Sequence, residues 1–264
     1  MLRTKLKNIK WVKFLYDSFR MSSIWLAGKQ QRLNYQELIN IIPDISEQYN
    51  TSVLDTEYLN LKVRSVHAFQ MDLIKRICKD NYYLSDIGDS SGNHIIYTKR
   101  FFNNIISTSV NCDSNAIKKI KSKGLYAEKV SAEDYVREVG EVDLTFLFQT
   151  LEHFENPISF LKKAKNHTKY MIITVPYLKN SRIGFHHLRD KNHPFWKGDP
   201  EDIHYYELSP EDWKLMFEFT GWKVKYEKIY YQYPRWIPFV SWLLKKYWRR
   251  FDFEGFYGVI LFKE

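Results

Sequence analysis

The sequence predicts an α/β protein with a doubly wound, mainly parallel sheet. From residue 82 onward, apolar runs typical of buried strands alternate with amphipathic segments typical of helices. The first run, Tyr82–Asp86, leads through a turn with two glycines into a helical pattern. Glycines allow a tight turn at a helix N-terminus, which is the arrangement found at nucleotide-binding sites. We therefore expect the ligand at the carboxyl ends of the strands.

The order of the elements follows from periodicity and from capping residues. Ser131, Asn156 and Ser209 each precede a helical pattern and are typical N-cap residues. The helix after Asn156 is expected to turn Ile158, Leu161 and Ala164 inward. The predicted strands are 82–86, 105–110, 126–130, 142–148, 170–175 (ending at Pro176), 222–231 and 257–262, and the predicted helices include 93–103, 114–123 and 210–219.

Residues 1–79 are predicted to form an N-terminal helical cap, in which residues 2–20, 34–43 and 57–79 are the helices. In the third helix, Leu59, Val63, Val66, Leu73 and Ile77 form one apolar stripe. His67 and Gln70 lie on or beside this stripe, with Arg64 one turn away. Two interpretations stay open for these polar residues: partners on the neighbouring backbone, or a lid that faces the ligand.

Charge, cysteine content and apolar runs limit the classes of protein to which the chain can belong. The chain has 264 residues and a formal net charge of +9, but it contains no recognisable nucleic-acid-binding motif. Two isolated cysteines, Cys78 and Cys112, provide no disulfide framework and are typical of a reducing compartment. We find no secretory signal and no apolar run long enough to span a membrane. We therefore expect a cytoplasmic protein.

Four motifs, in order and at suitable spacing, resemble those of class I S-adenosylmethionine-dependent methyltransferases. The first is the turn from Asp86 to Gly92, with the sequence Asp-Ile-Gly-Asp-Ser-Ser-Gly. The others are residues 149–157 (Gln-Thr-Leu-Glu-His-Phe-Glu-Asn-Pro), residues 172–176 (Ile-Ile-Thr-Val-Pro), and the segment from His204 to Trp222. The resemblance covers roughly residues 80–262. It implies a Rossmann-like methyltransferase domain over residues 80–264 and S-adenosylmethionine as the cofactor.

The resemblance also implies which residues contact the cofactor. Ser90 replaces the family's middle glycine, and Asn111 replaces the acid that grips the ribose. Because a charged acceptor forms the stronger hydrogen bond, we expect Asn111→Asp to tighten cofactor binding. The implied cofactor-binding residues are Asp86, Gly88, Ser90, Gly92, Asn111, Ser131, Ala132, Phe148 and Gln149.

The loop of residues 177–206 follows the fifth strand, and in this topology it covers the substrate entrance. It combines basic, aromatic and imidazole side chains, which suit a polar or phosphorylated acceptor. His186, His187, Asp190 and His193 are metal-ligand types, but their spacing matches no known pattern, so no metal site is predicted. Surface histidines without a role are the other interpretation. The predicted substrate-binding residues are His67, Gln70, Arg182, His186, Arg189, His193 and Tyr205.

Methyl transfer to a hydroxyl group would need a proton acceptor, and imidazole titrates near neutral pH. His187 lies in the substrate loop and His153 follows the fourth strand, so both are predicted catalytic residues. A structural role for His153 remains open. The aromatic and basic insert of residues 234–250 favours either contact with a membrane surface, at its inner face, or packing against the sheet or a second subunit.

We expect methyl transfer to a small polar acceptor, such as a sugar hydroxyl or a phosphoryl group of a surface- or capsular-polysaccharide precursor. The alternative is a non-catalytic domain of the same fold that binds a partner or a lipid head group.

Overall fold

The computed structural model describes residues 35–43, 45, 56–138, 140–183, 204–231 and 255–264. These residues form a mixed sheet of seven strands, flanked by helices, and a separate two-stranded sheet. The strands are β1 (Tyr83–Ile87), β2 (Ile106–Asn111), β3 (Ala127–Lys129), β4 (Val142–Phe148), β5 (Thr168–Tyr177), β6 (Arg182–Ile183), β7 (Tyr206–Glu207), β8 (Lys223–Tyr231) and β9 (Gly255–Phe262).

The helices of the described ranges lie where the sequence predicts them, with ends that differ by a few residues. They are α1 (Tyr35–Ile41), α2 (Thr56–Ile77), α3 (Asn93–Phe101), α4 (Ser114–Ser122), α5 (Ala132–Glu138), α6 (Pro157–Ala164) and α7 (Pro210–Phe219), with a short 3₁₀ turn at Leu151–His153. The predicted helix 2–20, the insert 234–250 and most of the loop 177–206 lie outside the described residues.

The main sheet has the strand order β3-β2-β1-β4-β5-β9-β8. The first five strands pair in parallel, whereas β9 is antiparallel to both β5 and β8. The chain leaves β1 toward one edge of the sheet and returns at β4 to build the other half. The loops after β1 and β4 therefore diverge at a switch point, where doubly wound sheets bind their ligands. The predicted Rossmann-like fold class is confirmed.

Each face of the sheet has its own apolar core, because neighbouring residues on a strand point to opposite faces. Phe146 and Ile172 belong to the core beneath α2, and Leu147 belongs to the core beneath α7. A Cβ atom on Gly258 would lie 2.5 Å from Phe69, so α2 packs directly onto β9. Helix α2 thus covers one face of the sheet. The boundary of the helical cap at residue 79 stays a prediction.

Local capping interactions confirm three predicted helix starts. The side chain of Asn156 accepts a hydrogen bond from the Ser159 amide, and Ser131 and Ser209 each accept one from the amide three residues on. These bonds satisfy amides that the first helical turn leaves without partners.

Two details of the prediction are wrong. Ile158 is 37% exposed, and Phe160 takes the inward position of α6, with its ring 4.8 Å from the ring of Phe154. Strand β5 continues through Pro176, which lies opposite Phe256 of β9. Antiparallel pairing leaves alternate positions outside the hydrogen-bonded ladder, and such a position accepts a residue without an N–H. Among the described helices, none has the length and apolar character to cross a membrane.

Candidate functional site

The candidate site lies where the loops after β1 and β4 meet. Thr150 Oγ1 donates a 3.4 Å hydrogen bond to the carbonyl of Ile87, which joins the two loops. A Cβ atom on Gly88 would lie 2.3 Å from that same Oγ1. The carboxyl ends of β1 and β4 thus carry two loops in direct contact, as the topology requires of a ligand-binding crevice.

Both glycines of the first loop have left-handed backbones, with φ of 83° at Gly88 and 75° at Gly92. Side chains of the protein fill the space beside each of them. At Gly92 an added Cβ would lie 2.5 Å from Leu125 Cδ1, and at Gly88 it would meet Thr150. The need for glycine at these two positions is therefore set by backbone conformation and by packing within the protein.

Asp89 organises the glycine loop, and the sequence analysis assigned it no role. Its Oδ1 accepts hydrogen bonds from the amides of Ser91 (2.9 Å) and Gly92 (2.6 Å), and its Oδ2 accepts one from Ser109 Oγ (2.6 Å). Burial and the neighbouring charge of Asp86 raise the pKa of Asp89 to about 6. An Asp two residues before a turn amide is a sequence signal for this kind of local bond.

Asn111, the predicted ribose ligand, ends β2 and holds the same loop. Its Nδ2 donates to the carbonyl of Asp89 (2.9 Å), and its Oδ1 accepts from the amide of Asp113 (2.8 Å). The carboxylate of Asp113 in turn caps α4 by accepting from the amides of residues 115 and 116. The side-chain amide of Asn111 therefore joins the end of β2 to the glycine loop.

The other predicted cofactor residues lie along the carboxyl edge of the sheet. Ser131 caps α5, and Ala132 is the first residue of that helix. Phe148 is buried at the end of β4, with its ring 4.6 Å from the ring of His94. Gln149 follows it with a left-handed φ of 53°, an unusual conformation for a residue other than glycine. Ser90 is half-buried between the two glycines.

Gln70, predicted to bind substrate, bridges three elements instead of meeting the neighbouring backbone. Its Nε2 donates to Thr174 Oγ1 on β5 (3.1 Å), and its Oε1 lies 2.8 Å from Nε2 of His94 on α3. The other nitrogen of His94 lies 3.4 Å from Oδ2 of Asp86. The structure thus connects the long helix α2 to the end of β1 through buried polar side chains.

His67 belongs to the same buried region. Its Nδ1 lies 3.4 Å from the Tyr97 hydroxyl, and its ring is 5.0 Å from that of His94. Burial lowers the pKa of both histidines, that of His94 to about 4, and the charges of His94 and Arg64 lower that of His67 further. Arg64 itself donates to the carbonyls of Leu38, Ile42 and Pro43 at the end of α1. The lid interpretation is therefore wrong for Arg64.

A second polar group forms where the loop after β4 meets β6 and β7. The amide of Tyr205 donates to the carbonyl of Glu152 (2.8 Å), and the rings of His153 and His204 lie 4.9 Å apart. Arg182 Nε donates to Glu207, which also accepts from His204 Nδ1 at 3.1 Å. Three predicted residues, His153, Arg182 and Tyr205, are therefore brought together. The predicted residues His186, His187, Arg189 and His193 lie outside the described ranges.

Two acids of this second group were not predicted as site residues. Glu152 is 1% exposed, its Oε2 has no hydrogen-bond partner, and burial raises its pKa to about 7. Burial also acts to raise the pKa of Glu207, but the hydrogen bonds and charges of His204 and Arg182 outweigh it and hold that pKa at about 2. Glu152 belongs to the motif of residues 149–157, and an acid four residues after the end of a buried strand was the available signal.

The buried acids of the crevice fit S-adenosylmethionine, whose sulfonium and ammonium groups carry positive charge. Asp86 lies directly before the glycine turn, its Oδ2 is buried without a hydrogen-bond partner, and burial raises its pKa well above the usual range. A cationic ligand nearby would offset the cost of burying such a carboxylate. The amides of Ser91 and Gly92, by contrast, are already bonded to Asp89.

Solved structures share this architecture at low sequence identity. Coclaurine N-methyltransferase, bound to N-methylheliamine and S-adenosylhomocysteine, aligns with a TM-score of 0.56 at 13% identity over 94% of this chain and 88% of its own. The [4+2]-cyclase SpnF aligns with a TM-score of 0.56 at 11% identity, over 86% and 92%. Phosphoethanolamine N-methyltransferase 2 of Haemonchus contortus aligns with a TM-score of 0.51 at 13% identity, over 73% of this chain and 52% of its own.

No family model matches the sequence, and no curated protein matches it significantly. The TM-scores establish a common fold and, at such low identity, no more, and the cyclase shows that the fold alone does not determine the reaction. The order of the strands, the glycine loop after β1 and the structural neighbours lead to one conclusion: the chain has the Rossmann-like fold of the class I S-adenosylmethionine-dependent methyltransferases.

Proposed function

We propose that the protein is an S-adenosylmethionine-dependent methyltransferase that acts on a small polar acceptor. The observation that carries this proposal is the buried carboxylate of Asp86, at the start of a glycine loop at the switch point of a methyltransferase fold. Its Oδ2 accepts no hydrogen bond and faces only the His94 ring, at 3.4 Å. A buried acid with so little compensation costs stability, and its presence at a ligand-binding edge favours a cationic ligand.

The residues of the chain would position the two reactants. S-adenosylmethionine, when bound, supplies an activated methyl group that needs no further chemistry from the protein. The glycine loop, Phe148 and Gln149 would form the floor of the cofactor site, while Gln70 and Thr174 hold α2 across the crevice. Alignment of the acceptor in a dry site can supply roughly 7–11 kcal/mol of barrier reduction.

The acceptor would enter at the second polar group, beside His153, Arg182 and Tyr205. Arg182 and the imidazoles suit a hydroxyl or phosphoryl oxygen, as in a sugar or a sugar phosphate. If the acceptor is a hydroxyl group, its proton must leave, and His153 or His187 is the proposed recipient. A surface-polysaccharide precursor in the cytoplasm, with contact at the inner membrane face through residues 234–250, is the finer form of this proposal.

Calorimetric titration of the purified protein with S-adenosylmethionine and S-adenosylhomocysteine tests the cofactor. We expect saturable binding of both, and about tenfold weaker binding of the cationic ligand to Asp86→Asn. Asp80→Asn is the matched control, because it makes the same charge change at the exposed, opposite end of β1. An absence of binding at about 1 mM ligand would favour the alternative, a non-catalytic domain that binds a partner or a lipid head group.

Incubation with labelled S-adenosylmethionine and panels of sugars and sugar phosphates then tests the acceptor. Transfer of label to a polar acceptor is the expected result. Cofactor binding with transfer only to apolar acceptors would contradict the proposed acceptor class and leave the cofactor assignment in place.

A further inference from the structure

We propose that Glu152, His153 and His204 form a binding site for a divalent transition-metal ion beside the acceptor position. One carboxylate oxygen of Glu152 and one ring nitrogen of each histidine lie within 4.8 Å of one another. Two imidazoles and one carboxylate are a ligand set that zinc and other first-row metals accept. The three residues come from two segments, the 3₁₀ turn after β4 and the strand entry before β7.

Glu152 provides the second, independent indication of a ligand. Its side chain is fully buried, and its Oε2 has no hydrogen-bond partner. A buried carboxylate oxygen without a partner is costly, because burial removes the water that would otherwise solvate it. A bound cation would remove that cost, and each imidazole would have to give up any proton on its coordinating nitrogen when the ion binds.

Glu207 fixes the orientation of the His204 ring. It accepts a hydrogen bond from Nδ1 of His204 at 3.1 Å and is held in place by Arg182. With the proton on Nδ1, the tautomer of His204 has its lone pair on Nε2, as a metal ligand requires. Histidines that bind metal commonly donate their other ring N–H to a carboxylate in this way, which fixes the ring and its tautomer.

The second cluster of similar composition, Asp86, Asp89 and His94, does not offer such a site. Both carboxylate oxygens of Asp89 accept hydrogen bonds, and Nε2 of His94 is paired with Gln70. Most ligand lone pairs of that cluster are therefore committed within the protein, and the remaining carboxylate oxygen, Oδ2 of Asp86, faces Nδ1 of His94 at 3.4 Å. In the Glu152 group, a tetrahedral ion would bring the ligand atoms to about 3.4 Å from one another, so side chains need to move by about 1 Å.

Three protein ligands leave a coordination position open, and the acceptor oxygen would occupy it. The ion would lower the pKa of a bound hydroxyl group, so that its proton would leave to solvent, and would position the oxygen to take the methyl group while neutral S-adenosylhomocysteine leaves. In that case the metal replaces His153 as the activating group, because a coordinated imidazole has no lone pair for a proton. This role rests on the proposed methyltransferase function, whereas binding of the ion does not.

Calorimetry on the full-length protein, stripped of metal with a chelator, tests the site with Zn²⁺ and Mn²⁺ as probes. We expect one ion per chain and at least tenfold weaker binding to Glu152→Gln and to His153→Asn. Glu155→Gln is the matched control, because it removes one exposed charge from the same loop, and it should bind like the wild type. Titration with Co²⁺ gives an independent optical readout, in which ligand-field bands appear in the wild type and are lost in His153→Asn.

Two results would overturn the inference: no saturable binding of either ion to the wild type, or wild-type affinity in both site variants. S-adenosylhomocysteine binding, measured on the same samples, separates this outcome from a failure of the proposed function. Cofactor binding without metal binding refutes the metal site alone. If Glu152→Gln does not fold, His153→Asn decides the question, because His153 is only half-buried and its substitution should disturb folding less.

Discussion

Asp89 and Gly92 are joined by a 2.6 Å hydrogen bond from the backbone amide of Gly92 to Oδ1 of Asp89. Because Gly92 immediately precedes α3, the carboxylate takes the position that an anionic ligand would otherwise occupy at a helix N-terminus. The loop is therefore preformed by its own side chain. The neighbouring buried acid, Asp86, accepts no such hydrogen bond at its Oδ2, which lies 3.4 Å from Nδ1 of His94.

The preformed loop predicts a difference between two substitutions of Asp89. In Asp89→Ala, the amides of Ser91 and Gly92 and the hydroxyl of Ser109 lose their acceptor, so we expect the free energy of unfolding to fall by about 2–4 kcal/mol. Asp89→Asn keeps one oxygen for the amides and is expected to cost less than about 1 kcal/mol. Urea denaturation measures both values, and equal losses would contradict the loop geometry.

Gly88 is expected to be intolerant of a side chain because of Thr150. Gly124 is the matched control, since its φ is 74° and an added Cβ there meets nothing within 4 Å. Gly124→Ala should cost about 1 kcal/mol, the strain of the left-handed backbone, whereas Gly88→Ala should cost clearly more. In the double variant with Thr150→Ala, the excess loss should be partly recovered. An additive double variant in urea denaturation would show that the two residues do not collide.

Asn111→Asp is now expected to weaken cofactor binding, the reverse of the expectation from sequence. The substitution removes the Nδ2 donor to the carbonyl of Asp89 and places a carboxylate beside that carbonyl. We expect a loss of about 1–3 kcal/mol in unfolding free energy and a distorted glycine loop. Urea denaturation and calorimetry with S-adenosylhomocysteine check both effects, and tighter binding at unchanged stability would restore the ribose interpretation.

The buried ring of His67 should make the free energy of unfolding depend on pH. Burial lowers its pKa, so the folded protein keeps the ring neutral, while the unfolded chain takes up a proton near pH 6.5. The contribution of the neutral ring to the free energy of unfolding is therefore fully present above that pH. It falls as the pH drops through that value, and at pH 5.5 it has fallen by about 1.4 kcal/mol. Arg64, His94 and Tyr97 face the ring, and none supplies a negative charge to offset this.

The measurement compares wild type with His67→Asn, whose amide keeps a polar group near the Tyr97 hydroxyl. The variant should lose about 1.4 kcal/mol less than the wild type between pH 7.5 and 5.5 in urea denaturation. The difference isolates His67 from the raised pKa of Asp89, which acts with the opposite sign over the same range. Identical pH profiles would mean that the ring takes up its proton in the folded state as well.

Features that depend on local interactions could be predicted from the sequence. Helix starts at Asn156 and Ser209 follow from side chains that bind the amide three residues away. The apolar runs of β1 and β4 and the glycine turn between β1 and α3 are equally local, so the succession of elements and the fold class could be predicted. The bonds from the amides of Ser91 and Gly92 to the carboxylate of Asp89 are local in the same way.

Which polar groups come into contact depends on the packing of distant segments. Gln70 and Thr174 are 104 residues apart in sequence, and Glu152 lies 52 residues before His204. Such partners depend on strand order and on how α2 lies across the sheet, and periodicity contains no information about either. For the same reason the sequence placed Asn111 at the edge of the site but left its amide partners undetermined, because the loop that contacts it comes from a different strand.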